Sequence, residues 1–362
     1  MMQFIDLNAQ YNSIKERIDR RVNAVLNHGK YILGPEVEEL EQRLADYVGV
    51  KHCVSCGNGT DALNLSLMAL GIGKGDGVLC PTFTFFATGE SIAMHGASPV
   101  FVDSDASTYN ICPIDLERKI VRTLEEGVCN LKAIVSVDLF GLPANYPAIR
   151  SIAEKYGLLL IEDGAQGFGG SINGEMACSF GDVATTSFFP AKPLGCYGDG
   201  GAIFTNNTDV AKLLISLRFH GKGDDKYDNV RIGMNSRLDT IQAAILLEKL
   251  AIFEDEILIK NKLADQYSEK FGQFFDVPTV PQGYRSSWAQ YTLTTSDRDA
   301  VSRKFELNCV PTMVYYPKCL HQQTAFKACH VSDDDLPVAS SLSNRVLSLP
   351  MHAYLDADDV NF

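Results

Sequence analysis

Short apolar runs alternate with helix-like segments along most of the chain. Each run is bounded by glycine, proline or polar residues, which is typical of buried strands. Alternation of such strands with helices predicts an α/β fold built on a mostly parallel sheet of seven strands. The predicted strands lie at residues 52–55, 78–80, 100–102, 133–137, 158–161, 184–189 and 202–205.

Amphipathic helical patterns fill the segments between several of these runs. The first two, at 11–26 and 36–47, are separated by Gly34 and Pro35, which end one helix and begin the next. A further helix is predicted at 146–156.

The C-terminal third has a different organisation. A long helical pattern at 241–250 leads into a smaller region with alternating strands near 289–294 and 309–316. We therefore predict a large domain at residues 1–249 and a small α+β domain at 250–362.

Composition and charge narrow the class of protein. The 362 residues are 46% hydrophobic and 21% charged, enough to bury one large core and a smaller one. The formal net charge of −13 disfavours binding to nucleic acid or to anionic membranes. The sequence has no run long enough to span a bilayer and no apolar signal-peptide core near its start, so we expect a cytoplasmic protein.

Ten cysteines are spread through mostly apolar segments, which is typical of reduced core thiols. Cys53 and Cys56 form a C-x-x-C pair, but no second pair or histidines follow at metal-binding spacing. We predict two strand-borne thiols there and no metal site.

Candidate chemistry begins where the run at 158–161 ends in Glu162 and Asp163. Open α/β sheets bind ligands at the carboxyl ends of their strands, and Lys192 follows the strand at 184–189 on a loop. A desolvated lysine attacks aldehydes, and pyridoxal phosphate needs such a lysine together with a carboxylate beside its ring nitrogen. Taken singly, Asp163 is better explained as a helix cap and Lys192 as a surface residue.

A second candidate feature is the glycine turn CGNGTD at 56–61, which lies between a predicted strand and a helical pattern. Backbone N–H groups at a helix N-terminus bind phosphate, and glycine allows a close approach. An ordinary capped helix gives the same pattern, so the turn alone leaves both interpretations open.

Together these motifs resemble the DegT/DnrJ/EryC1/StrS family of pyridoxal phosphate-dependent sugar aminotransferases. The matching elements read EDGAQ at 162–166, SFFPAK at 187–192 and GDGG at 198–201, and the likeness covers essentially the whole chain. The resemblance implies a fold type I, aspartate-aminotransferase-like large domain with pyridoxal phosphate as cofactor. It makes Lys192 the Schiff-base lysine and the general acid/base, and Asp163 the partner of the ring nitrogen.

The resemblance also assigns the other contacts of the cofactor. Phe85 stacks on one ring face, Ala165 lies against the other, and Gln166 donates to the phenolate oxygen. Asn235 is implied to reach the phosphate of a neighbouring subunit, so we expect a homodimer with shared active sites. The phosphate contacts within one subunit are Gly59, Thr60 and Ser187.

Substrate contacts follow from two further segments. Arg237 suits a carboxylate, which a guanidinium pairs bidentately, although pairing with Asp239 or Glu248 on its own helix is an open alternative. The PTMVYYP segment at 311–317 matches the family's substrate-facing aromatics. The predicted contacts there are Tyr315 and Tyr316.

Three positions depart from the family pattern. Asp138 stands where many relatives have histidine, and we assign it no role. Tyr315 also replaces a frequent histidine. Relatives usually continue into a final helix, whereas this sequence stops at Phe362 and is either truncated or short there.

Within the family, the likeness is greatest to enzymes that aminate UDP-2-acetamido-2-deoxy-3-oxo-glucuronate in surface-polysaccharide pathways. The supporting strings are YILGPEV at 31–37, the lysine segment at 188–202 and NSRLDT at 235–240. We expect ping-pong transfer from L-glutamate, with 2-oxoglutarate released, to the C3 keto group of a UDP-linked 2-acetamido-3-oxo-hexuronic acid for O-antigen or lipopolysaccharide. Arg237 would hold the hexuronate carboxylate.

Three other functions are alternatives. Sugar dehydratases of the family replace the lysine by histidine, so Lys192 argues against that chemistry. The main alternative is a different aminotransferase, acting at C4 of another nucleotide-linked keto sugar or on a cyclitol. A non-catalytic nucleotide-sugar binder is less favoured because it would not need Lys192.

Overall fold

The computed structural model describes residues 2–225, 227–329 and 331–362, and within these ranges it contains eleven α-helices and twelve β-strands. The helices are α1 (Leu7–His28), α2 (Pro35–Val48), α3 (Gly59–Ala69), α4 (Phe86–Met94), α5 (Pro113–Glu126), α6 (Tyr146–Tyr156), α7 (Thr208–Leu217), α8 (Thr240–Leu250), α9 (Phe253–Phe271), α10 (Arg298–Leu307) and α11 (Pro337–Arg345). The strands are β1 (His52–Cys56), β2 (Asp76–Pro81), β3 (Ser98–Val102), β4 (Asn130–Val137), β5 (Leu159–Asp163), β6 (Ser171–Ile172), β7 (Glu175–Met176), β8 (Val183–Ser187), β9 (Gly201–Thr205), β10 (Tyr284–Arg285), β11 (Tyr291–Thr294) and β12 (Val346–Leu349).

Seven of these strands form the central sheet, in the order β1-β9-β8-β5-β4-β2-β3. Strands β2, β3, β4, β5 and β8 are parallel, whereas β9 runs antiparallel to both β1 and β8. The predicted α/β fold with a mostly parallel seven-stranded sheet is confirmed. Each predicted strand of this sheet is present, with ends displaced by at most three residues.

Helices cover both faces of the sheet, and alternate strand residues face opposite layers. Val135 and Ile161 pack in one core cluster with residues of α3 and α4. Ile134 and Leu160 pack in another cluster with residues of α5 and α6. Because side chains alternate along a strand, the two acidic residues that end β5 must lie on opposite faces of the sheet.

The C-terminal part has its own core around the antiparallel pair β11–β12. Tyr267 and Phe271 of α9 pack there against Tyr291, Leu293 and Phe305. The strand predicted at 309–316 is wrong, because this segment is irregular and pairs only through a single bridge from Met313 to Ser348. The partner of β11 is β12, which the sequence analysis missed.

The domain boundary at 249/250 stays a prediction. Contacts cross it, since Leu320 and Phe326 belong to the same core cluster as Val78 and Cys80 of β2. The helical pattern predicted at 241–250 is confirmed as α8, and a further helix, α9, follows it after residues 251–252.

The sequence also led to expectations about the cysteines of β1 and about membrane-spanning helices. Cys53 and Cys56 are free, buried thiols on β1, as predicted. None of the helices in the described ranges combines the length and the apolar character needed to cross a bilayer.

Candidate active site

The residues predicted to hold a cofactor meet at the carboxyl ends of two neighbouring strands. Asp163 ends β5 and Ser187 ends β8, and these two strands are directly paired. Lys192 lies on the loop that follows β8. The N-terminus of α3, which follows β1 through the glycine turn, reaches the same edge because Gly59 packs against Ser187.

Asp163 is the central carboxylate of this edge. It shares the sheet face of Ile161, towards α3 and α4, and only 6% of its surface is exposed. One oxygen accepts a hydrogen bond from the amide of Ala165 at 3.2 Å and the other from the Thr88 hydroxyl at 3.2 Å. Burial raises the pKa of Asp163, and the positive charge of Lys192 offsets part of that rise.

Lys192 is the matching cation. Burial lowers the pKa of its amine, while the charge of Asp163 acts in the opposite direction. A lysine whose pKa is lowered has a larger neutral fraction at neutral pH, and the neutral amine is the nucleophilic form. Lys192 therefore offers an amine suited to attack on a carbonyl, and Asp163 offers a buried carboxylate suited to a cationic partner.

A close-packed turn forms the phosphate side of the site. The Asn58 side chain caps α3 by accepting the amide of Asp61 at 2.8 Å. The amides of Gly59 and Thr60 are first-turn donors, for which a helix offers no internal acceptor. A Cβ added at Gly59 would lie 2.6 Å from the Cβ of Ser187, so only glycine fits this approach.

The ring side of the site contains aromatic and amide groups. Phe85 immediately precedes α4 and is 53% exposed, with its ring centroid 6.0 Å from that of Tyr316. The Gln166 amide is oriented by the amide of Phe140, which donates to its oxygen at 2.8 Å. Its nitrogen therefore faces the site, where it donates to the Tyr316 hydroxyl at 3.3 Å. Tyr315 is adjacent and packs edge-to-face against Tyr316.

The segment at residues 235–237 contains two further predicted contacts, Asn235 and Arg237, with Ser236 between them. Ser236 points inward, accepting from the amide of Gly57 at 2.9 Å and donating to Asp61 at 2.7 Å. Asn235 is exposed, and Arg237 donates to it and lies over the Phe219 ring at 4.6 Å. The contacts of Asn235 and Arg237 in the described chain do not include Asp163 or Lys192.

The structure does not support the alternative that Arg237 pairs with Asp239 or Glu248. Glu248 pairs instead with Arg17 at 2.8 Å and Arg21 at 2.6 Å. Within the described residues Arg237 makes no ion pair, with Asp239 or with any other acid.

These residues fit pyridoxal phosphate. Asp163 is a carboxylate whose pKa is raised by burial, and a protonated ring nitrogen would give it a partner of opposite charge. Gly59 packs against Ser187 so closely that only glycine fits, and this contact lies beside helix N–H groups suited to a phosphate. Lys192 supplies the partly buried amine that the aldehyde requires.

One further residue, Thr88, belongs to this site although it was not predicted from the sequence. Thr88 lies in the first turn of α4 and donates to Asp163. The only signal was its place at the end of the PTFTFFAT run, three residues after Phe85. The backbone amide of Thr88 donates to the carbonyl of Phe85 at 3.3 Å, so the hydroxyl donor and the stacking candidate belong to the same turn at the start of α4.

Comparison with known proteins agrees with this geometry. The sequence profile of the DegT/DnrJ/EryC1/StrS aminotransferase family matches residues 12–361. The chain is 49% identical to UDP-2-acetamido-2-deoxy-3-oxo-D-glucuronate aminotransferase of Pseudomonas aeruginosa, over 99% of this chain and 98% of that protein.

Two solved structures extend the comparison. A DegT DnrJ EryC1 StrS aminotransferase from Brucella abortus superposes with a TM-score of 0.97 at 52% identity, covering 99% of this chain and 96% of that one. NtdA from Bacillus subtilis, solved with bound cofactor PMP, gives a TM-score of 0.87 at 30% identity, covering 98% and 80%.

Proposed function

The chain belongs to the DegT/DnrJ/EryC1/StrS aminotransferase family, and from this premise we propose that it moves an amino group from L-glutamate to the C3 keto group of a UDP-linked 2-acetamido-3-oxo-hexuronic acid. The protein is a pyridoxal phosphate-dependent sugar aminotransferase. The observation that carries the proposal is the pairing of the buried Asp163 with the partly buried Lys192 beside the phosphate turn. The named substrate of the Pseudomonas aeruginosa relative supports the choice of sugar.

The residues that would hold the cofactor follow from the site. Lys192 would carry its aldehyde carbon, Asp163 would accept from its ring nitrogen, and Gly59, Thr60 and Ser187 would hold its phosphate. When bound, pyridoxal phosphate supplies a carbonyl that accepts an amino group and a protonated ring that withdraws electrons from the carbon that loses a proton.

Lys192 has two tasks in the proposed reaction. Burial lowers the pKa of this amine, which increases the neutral fraction that would bond to the aldehyde of the cofactor. When it is free and neutral, the same Nζ atom would take the proton from the α-carbon of glutamate as a general base and give it to the cofactor as a general acid. In the second half-reaction the same atom moves the proton in the reverse direction.

Asp163 keeps a proton on the ring nitrogen by remaining ionised beside it. Two hydrogen bonds, from Thr88 and from Ala165, hold its oxygens in place. Gln166, oriented by Phe140, presents an N–H donor on the same side as Tyr316. The two groups that would flank the ring are Phe85, directly before α4, and Ala165, in the turn that follows β5.

A carboxylate on the sugar would provide the acidic partner that Arg237 lacks in the described chain. With no acid paired to it in the described chain, its guanidinium is available for a uronate, which it can bind through two parallel hydrogen bonds. A net charge of −13 makes such a local cation necessary for an anionic substrate. We assign the carboxylate of the hexuronic acid to Arg237, with Tyr315 and Tyr316 as further substrate contacts.

Asn235 and Arg237 support a homodimer with shared active sites. Ser236, between them, is held against Gly57 and Asp61 of its own subunit, so its neighbours in an extended chain face away. We propose that Asn235 contacts the phosphate bound in a second copy. Mixing Lys192→Ala and Asn235→Ala protomers should restore activity that neither variant has alone, because one of the mixed sites is intact. No recovery, with mixed dimers present, would contradict the sharing.

The substrate assignment is tested by a visible-absorbance titration of the pyridoxal phosphate form. We expect L-glutamate and UDP-2-acetamido-3-amino-2,3-dideoxy-glucuronate each to bleach the absorbance of the lysine-bound cofactor. A 4-amino UDP-sugar should leave it unchanged. If only the 4-amino sugar bleaches the band, the enzyme is a 4-aminotransferase and the C3 assignment is wrong. If glutamate alone does so, the sugar assignment as a whole fails.

A further inference from the structure

Three carboxyl groups lie at the ends of two paired strands. Asp163 and Glu162 end β5, and Asp138 immediately follows β4. In the register of the two strands, Val137 pairs with Asp163 and Ser136 with Glu162. Asp138 and Glu162 therefore share one face of the sheet, towards α6, while Asp163 faces the cofactor on the other.

Asp138 is buried and only partly satisfied. None of its surface is exposed. One of its oxygens accepts from the amide of Ala144 at 3.0 Å and from the Tyr146 hydroxyl at 2.7 Å. The other oxygen, Oδ2, has no donor among the described residues. An unpartnered carboxylate oxygen in a wholly buried position is costly, so this atom needs an explanation.

Glu162 is the neighbour of that oxygen. It is equally buried, and its two oxygens accept from the amides of Cys178 and Phe180, the latter at 2.7 Å. Glu162 and Asp138 are neighbours on this face of the sheet, and each carboxyl group acts on the pKa of the other. Two carboxylates cannot hydrogen-bond to each other unless one of them carries a proton.

No cation balances this pair in the described chain. The titratable groups that face it are Tyr146 from α6, Cys178 from the segment before β8, and Asp163 from β5. None of these carries a positive charge. Burial is the main cause that raises the pKa of both Asp138 and Glu162, and each carboxyl also acts on the other.

We propose that Asp138 and Glu162 share one proton at the Oδ2 atom of Asp138, and that Asp138 is thereby a positioning residue for the cofactor side of the site. The shared proton satisfies the only unpartnered oxygen of the pair. It also reduces two buried negative charges behind Asp163 to one.

The pair reaches the cofactor side through the backbone. The amide of Asp138 donates to the carbonyl of Asp163 at 3.1 Å. A Cβ added at Gly167 would lie 2.2 Å from Oδ2, so this oxygen packs directly against the turn that carries Ala165 and Gln166. Repulsion between two ionised carboxylates at this point would displace the turn and the end of β5 together.

The experiment uses the pyridoxal phosphate-loaded protein and two nearly isosteric variants, Asp138→Asn and Glu162→Gln. Each amide offers a permanent N–H donor where the proton lies, so neither variant can share a titrating proton. The first measurement is the infrared carbonyl stretch of protonated carboxylic acid, recorded as a difference between wild type and variant. The second is the pH profile of kcat together with that of the bound cofactor's visible absorbance.

We expect a protonated-acid band in the wild type at neutral pH that disappears as the pH rises and is absent from both variants. In the wild type, loss of the shared proton should lower kcat as the pH rises, which gives the kcat profile an alkaline limb. This limb should be absent from both variants. A role in packing alone would change kcat without removing that limb. The proposal is overturned if the wild type has no such band, or if the band or the limb persists in either variant that folds and binds cofactor. The inference depends on the cofactor site and not on the sugar, so a failed C3 assignment leaves it intact.

Discussion

The hydroxyl of Thr88 donates a hydrogen bond of 3.2 Å to the carboxylate of Asp163 across 75 positions of sequence. Thr88 belongs to the first turn of α4, and Asp163 ends β5. The contact joins the helix that carries Phe85 at its start to the strand that presents the central carboxylate. It stabilises the ionised form of Asp163, because a donor favours the charged state of a carboxyl group.

Thr88→Val tests the value of this contact. Valine has nearly the same shape but lacks the hydroxyl, and a hydrogen bond to a charged group contributes about 1.5–3 kcal/mol. We expect kcat/KM to fall by about tenfold to a hundredfold, with the cofactor still bound. The alternative result, wild-type kcat/KM at all pH values, would mean that Asp163 does not depend on Thr88.

The glycine at the start of α3 gives a second prediction. Gly59→Ala places a Cβ 2.6 Å from that of Ser187, a degree of overpacking that costs about 1–3 kcal/mol. We expect the affinity for pyridoxal phosphate, measured by equilibrium dialysis, to fall about fivefold to a hundredfold. Gly73→Ala is the matched control, because its Cβ would meet only a carbonyl oxygen at 3.8 Å. Equal affinities of the two variants would remove Gly59 from the phosphate site.

The uronate contact gives a third prediction. Arg237→Gln should raise KM for the 3-amino UDP-hexuronate by about tenfold to a hundredfold, the value of a lost charged hydrogen bond. The analogue with a hydroxymethyl group in place of the carboxylate should not be affected. Arg43→Gln is a suitable control, since that side chain is 51% exposed and pairs with Glu39 on its own helix. An equal rise in KM for both sugars would mean that Arg237 does not bind the carboxylate.

A fourth prediction concerns stability against pH. Burial raises the pKa of Asp138 from 3.8 to about 7, so the folded protein takes up a proton that the unfolded chain releases. A raised pKa contributes stability at low pH that is lost as the pH rises through about 7. The free energy of unfolding of the wild type should therefore fall relative to that of Asp138→Asn by up to about 4 kcal/mol between about pH 4 and 7, and then change no further.

Denaturant unfolding at several pH values measures this difference. Asp209→Asn is the control, because the Asp209 side chain is 95% exposed and its removal should add no such dependence. A difference between wild type and Asp138→Asn that is constant with pH would show that Asp138 is ionised throughout.

Much of the fold could be predicted because buried parallel strands leave a strong local pattern. Residues 146–156, predicted as a helix, coincide with α6. The failure at 309–316 has a physical cause. Two prolines, Pro311 and Pro317, lie in or beside this segment and lack the N–H group of a ladder, and its apolar residues are used for packing instead.

The candidate site, like the fold, could be predicted only in part from the sequence. Asp163 and Lys192 could be identified because each belongs to a local motif at a strand end. The contact from Thr88 and the proton-sharing contact of Asp138 could not, since each depends on the approach of segments distant in sequence. The departure at Asp138 was visible in the sequence, but its burial beside Glu162 was not.

The central claim, that Lys192 holds the cofactor, is tested most directly by chemical trapping. Lys249 and Lys260 are also buried, and burial lowers the pKa of each to about 8, so both are chemically plausible rivals. Their Nζ atoms, however, donate to the carbonyls of Gly195 and Ser287. Borohydride reduction of the pyridoxal phosphate-loaded protein, followed by peptide mass mapping, reports which lysine is modified.

We predict modification of Lys192 alone, and its loss together with the visible absorbance and amino transfer in Lys192→Ala. The control Lys212→Ala, at a side chain 74% exposed, should be modified as the wild type is. Modification of Lys249 or Lys260 in the wild type, or normal turnover of Lys192→Ala, would contradict the account.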